Sequence, residues 1–147
     1  MPHVEVTTGY CWVIFSHFRD IFTRTTLNTQ LATIHNNLAL CFYKKIDKKQ
    51  EIPIEKSTLR QFYQIIIKNT TRTIEILDLL PGGNNAHAGV LEKAFFRRAT
   101  VNLKDGRLDD ALWDAKKSKN EKLIKTAEFM MKKYEKEMQK KMQKMFS

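Results

Sequence analysis

Apolar residues in this chain recur mainly at spacings of three and four, the period of one helix face, and rarely alternate as a half-buried strand would. Residues 10–22 carry a dense apolar series of Val13, Ile14, Phe15, Phe18, Ile21 and Phe22. A second series over 28–43 contains Leu31, Ile34, Leu38, Cys41 and Phe42, the mark of one buried helix face. A polar, lysine-rich connector over 44–57 follows and holds Pro53, which cannot occupy a helix interior. Ser57 is suited to cap a third helix over 58–80. Within it, Ile65, Ile66, Ile67, Thr70 and Thr71 are β-branched, yet Ile67, Ile74 and Leu77 keep helical spacing and the run exceeds most strands. Pro81, Gly82 and Gly83 then end it.

Further helices are expected over 89–104 and 108–118, joined by a turn at Asp105 and Gly106, where glycine adopts the left-handed conformation cheaply. The last helix fills 121–146. Its apolar residues, among them Leu123, Ala127, Met130, Tyr134, Met138 and Met142, keep the same spacing while lysines occupy the other faces. Its first turns should pack on the domain and the remainder extend into solvent. The expected fold class is all-α. Residues 1–9 form a short tail and 10–147 a single domain.

Composition sharpens this picture without redirecting it. A chain of 147 residues suits one core, and only 5 Gly and 3 Pro disfavour a turn-rich β-fold. The net charge of +10 lies largely at one end: from Lys116 onward there are 11 Lys and 4 Glu. That reads as a solvated lysine-rich helix, and no nucleic-acid partner is expected. Cys11 and Cys41, each in an apolar helical context, read as buried packing residues in a reducing compartment. No signal peptide is visible, 10–22 is too short to span a bilayer, and the expected location is cytoplasmic. His3, His17, His35 and His87 show no metal-ligand spacing, and no cofactor is expected. No nucleophile–base set stands out locally, so the chain is expected to catalyse nothing. The glycosylation pattern at Asn69 would be idle in the cytosol.

The most informative unit is 93–115. A helical hairpin needs small residues where its helices approach closely, and Ala99 can face Ala111, with Ala115 one turn on. Larger residues must plug the gaps between hairpins, a role open to Phe95, Leu103 and Leu108, while Gly106 makes the turn. This distribution over about 34 residues is the tetratricopeptide-repeat (TPR) pattern. The stretch resembles the last TPR of large FK506-binding-protein type immunophilins, and less closely those of cyclophilin 40 and aryl-hydrocarbon-receptor-interacting proteins. Lys93, Phe96, Arg97 and Arg98 match a Lys-x-x-Tyr-Arg-Arg-like segment. Upstream, the run from Asn36 through Asn37, Leu38, Ala39 and Cys41 to Tyr43 resembles the first helix of the preceding repeat, an Asn-Leu-Ala-x-Cys-Tyr-like run.

The resemblance implies helical hairpins stacked as an α-solenoid, with a leftover second helix of a first repeat at 10–26. A second repeat would cover 27–80 with a long inter-helix insertion, a third 87–118, and a basic capping helix 120–147. The isomerase domain of the immunophilins is absent. It also implies an adaptor whose concave groove binds the acidic C-terminal tail of heat-shock protein 90 or 70. The family's carboxylate-clamp positions fall on Asn37, Lys93 and Arg97, with Phe96 lining the groove. Ala39, Phe95, Ala99, Leu103, Gly106, Ala111 and Ala115 would hold the repeats together. Two clamp positions of the family belong to a helix this sequence does not show. The alternatives are a degenerate TPR scaffold with another partner, or calmodulin binding through the basic, Met-rich last helix. The uncapped helix at 10–22 offers a surface for a second copy.

Overall fold

The computed structural model describes residues 6–47, 53–82 and 86–146, with side chains from residue 14 onward. These residues are helical and include no strand. Five helices follow one another: α1 Val6–Asp47, α2 Lys56–Asp78, α3 Ala88–Asp105, α4 Leu108–Lys117 and α5 Glu121–Phe146. Each packs chiefly on its neighbour in the chain, and α3 also touches both α1 and α5. No helix of the described residues is long and apolar enough to cross a membrane.

The break expected between residues 22 and 28 is not there. Residues 10–26 are not a helix of their own, because α1 runs unbroken for 42 residues. The segment 23–27 holds no Gly or Pro. The helix runs on through it, with the hydroxyls of Thr25, Thr26 and Thr29 donating to the carbonyls four residues back at 2.8–3.0 Å. The connector is correspondingly shorter than expected, since 44–47 belong to α1 and Ser57 lies inside α2. Glu55, not Ser57, precedes that helix, and it makes no side-chain cap.

The face of α1 that packs is also not the expected one. Leu31, Ile34 and Leu38 are exposed, Ile34 at 63%, and so is Cys41. The body instead covers Ala32, Asn36 and Ala39. The reason is steric: two helix axes come close only over small side chains. Cys41 is therefore not a packing residue, and the side chain of Cys11 lies outside those described. Ile14, Phe15, Phe18, Ile21 and Phe22 are exposed as well, so the N-terminal half of α1 extends past the core.

From α3 onward expectation and structure agree. Ala99, Ala111 and Ala115 are fully buried and share an apolar cluster with Leu103, Leu123 and Ala127; Phe96 and Leu108 pack at its edge. Phe95 is buried in a second cluster with Ala32, Ile74, Leu77 and Leu91. Ala39 anchors a third with Tyr63, Ile66 and Val101. Gly106 closes α3 at φ +82°, the left-handed conformation that glycine takes without strain. Of α5, only Leu123 and Ala127 are buried, and the rest runs into solvent. Asn120 begins it, accepting from the Leu123 N–H at 2.9 Å.

One polar junction crosses this core. Arg98 grips Asp114 with two bonds, Nε to Oδ2 at 2.8 Å and Nη2 to Oδ1 at 2.7 Å, and its Nη1 donates to Thr71 at 2.9 Å. Three helices are thereby tied through one guanidinium, which also lies over the Phe95 ring. Both side chains are largely buried, so removing one strands the other. Asp114→Ala should lower unfolding stability by about 3–5 kcal/mol in denaturant titration. Ala99→Leu, which forces a side chain into the α3–α4 contact, should cost about 1–3 kcal/mol in the same assay.

Candidate functional site

The α3 sequence places Lys93 and Arg97 four residues apart, hence on one helix face. With Phe96 they line a groove of about 410 Å³, to which α1 contributes Leu40 and Tyr43, α3 adds Gly89 and Glu92, and the α4–α5 junction adds Ser118 and Asn120. Three of its walls are apolar or aromatic: Leu40, Tyr43 and Phe96, with the last two rings 6.3 Å apart and tilted.

Arg97 forms the floor. It is only 9% exposed. Its Nη1 donates to Asn36 Oδ1 and, more loosely, to the Asn36 carbonyl at 3.4 Å. No carboxylate pairs with it among the described residues. Burial pulls its pKa below the ordinary arginine value, and the Tyr43 phenol partly offsets this. Arginine nevertheless stays protonated in proteins, so the groove holds a desolvated, uncompensated cation. Burial likewise pushes the Tyr43 phenol up, more than its bond with Thr100 brings it down.

Lys93 stands exposed at the rim with no ion pair to a described residue. The one rim carboxylate, Glu92, is already taken by Lys119 at 2.8 Å. Chemically, the groove presents two cations with no carboxylate partner among the described residues, one largely buried and one exposed, beside an apolar wall. It can accept an anionic group flanked by apolar matter. A guanidinium can fork two N–H groups onto one carboxylate, and no carboxylate among the described residues occupies that position on Arg97.

Lys93, Phe96 and Arg97 are thus brought together. Asn37 is not among them: it is exposed and does not line the groove. One residue along a helix is a turn of about 100°, so it is Asn36 that meets Arg97. Asn36 and Tyr43, within the run that resembles a repeat helix, are not site residues by the sequence reading, although each lies on the small-residue face of α1 marked by Ala32 and Ala39. Among the described residues no cluster of His, Cys, Asp or Glu could hold a metal. His35 is occupied otherwise, its Nδ1 lying 2.7 Å from Asn69 Oδ1. Asn69 itself is buried, which closes its glycosylation pattern to modification.

Compared with protein-family models, curated proteins and solved structures, the chain gives no match.

An unpaired buried charge is a poor stabiliser, whereas a buried ion pair collapses when halved. Arg97→Met should consequently cost less than Asp114→Ala when the two are unfolded side by side. A loss as large as that of Asp114→Ala would mean that Arg97 holds the fold rather than a ligand.

Proposed function

We propose that the chain is a protein-interaction adaptor whose groove binds an acidic C-terminal peptide of the heat-shock protein 90 or 70 kind. The observation that carries this reading is Arg97, a buried guanidinium that among the described residues meets the neutral oxygens of Asn36 and no carboxylate. A largely buried cation without a counter-ion is costly to the free protein. A ligand carboxylate offsets that cost, and the bond is strong because it forms away from water. Lys93, four residues away at the rim, adds a second charge for the next acidic group. Leu40, Tyr43 and Phe96 receive an apolar side chain between them.

The same reading takes the fold as TPR-like. The C-terminal half of α1 with α2 would be one hairpin, α3 with α4 the next, and α5 the cap. Neighbour-on-neighbour packing of the helices supports it, as does the resemblance of 93–115 to the immunophilin repeats.

Calorimetric titration with a peptide ending Glu-Glu-Val-Asp tests the proposal. Binding near ~10 μM, or about −7 kcal/mol, is expected for the native chain. Lys93→Ala, an exposed change that leaves the fold alone, should weaken it, and Arg97→Met should abolish it. Amidating the peptide's C-terminus should have the same effect as Arg97→Met. Equal affinity for the free and amidated peptides, or no heat with either, would refute the clamp.

A further inference from the structure

The helix α1 leaves two apolar stripes in water. Ile14, Phe18 and Ile21 form one, and Leu31, Ile34 and Leu38 the other, all of them exposed. Their spacings match when one is reversed: Ile14 with Leu38, Phe18 with Ile34 and Ile21 with Leu31 each add to residue number 52. That is the relation between facing residues in two antiparallel helices. The centre of the register falls at Thr26, within the threonine-rich segment 23–26. There helix propensity is low. β-Branched residues lower helix propensity, and hydroxyls bonded to the carbonyl four residues back destabilise and bend the ladder. A five-residue connection at 23–27 lies within the usual range for helix–helix turns.

We infer that α1 opens at 23–27 and closes as a helical hairpin, residues 14–21 folding antiparallel onto 31–38 in the register that sums to 52. The continuous helix is then the extended form of a strap that can shut over its own exposed stripe. A second copy fits less well. At 100° per residue the two stripes point about 130° apart around the continuous helix, so one straight partner helix cannot lie on both.

The register carries its own reporter. Cys11 and Cys41 also add to 52. In the continuous helix they are about 45 Å apart along the axis, at 1.5 Å per residue; in the closed hairpin they face one another. Glutathione disulfide serves as the probe. One cysteine thiolate attacks it and releases a glutathione thiol. The second cysteine then displaces the other glutathione, closing the intrachain disulfide.

The experiment incubates the full chain at low micromolar concentration with glutathione disulfide and follows intact mass and non-reducing electrophoresis. The expected product is a monomer lighter by its two thiol hydrogens, formed at a rate independent of protein concentration. Phe18→Asp, placed outside the packed body, should slow that product by about a hundredfold, the weight of one buried aromatic side chain. Thiols that stay open to alkylation, disulfide-linked dimers in place of the monomer, or a Phe18→Asp rate equal to the native one would each overturn the inference.

Discussion

Helix axes approach to the short end of 8–10 Å only over small side chains, and alanine occupies each crossing of this chain. Ala32 and Ala94 share one buried cluster of α1, α2 and α3, Ala39 lies in a second drawn from the same helices, and Ala99, Ala111, Ala115 and Ala127 share a third across α3, α4 and α5. All are fully buried. Close approach at these points brings the larger residues around them, such as Leu77, Phe95 and Leu103, into contact. It also brings α1 near enough to α3 for Asn36 to reach Arg97. Groove and core therefore have one geometric cause.

Two consecutive arginines show what that geometry does with charge. Arg98 turns toward α2 and α4 and is fully answered by Asp114 and Thr71. Arg97 turns toward α1 and finds only amide oxygens. The first neutralises its charge inside the protein and so holds helices together. The second carries its charge into a groove whose one carboxylate, Glu92, is engaged by Lys119. The chemistry of the side chain is identical, and the neighbours decide its use.

The α3–α4 hairpin was legible because its determinants are local. Small residues at Ala99 and Ala111, a glycine at the turn and bulky residues on either side are all within reach of one another in sequence. The status of α1 was not. Periodicity finds an apolar stripe but cannot say whether anything covers it, and in α1 the covered face is the one with the smaller, partly polar residues. The same blindness set Asn37 in place of Asn36, since a neighbouring position differs only by which helix lies opposite. The burial of Arg97 was equally hidden: it depends on Asn36, 61 positions earlier. What the sequence did carry was the four-residue spacing of Lys93 and Arg97, and that spacing is what places both in the groove.

The beginnings of α2, α3 and α4 share a further trait: Glu55, His87 and Arg107 precede them, and none makes a side-chain cap. Their first amides gain nothing from local chemistry, so these helices depend on their neighbours to exist. Of the helices from α2 onward, α5 starts with a capping bond, from Asn120. The middle of the molecule therefore has little capacity to come apart helix by helix; losing one element removes the support of the next. The lysine-rich end is built on the opposite principle. Held at its root and capped there, it can remain a rod while standing free, and motion along it need not be transmitted to the groove.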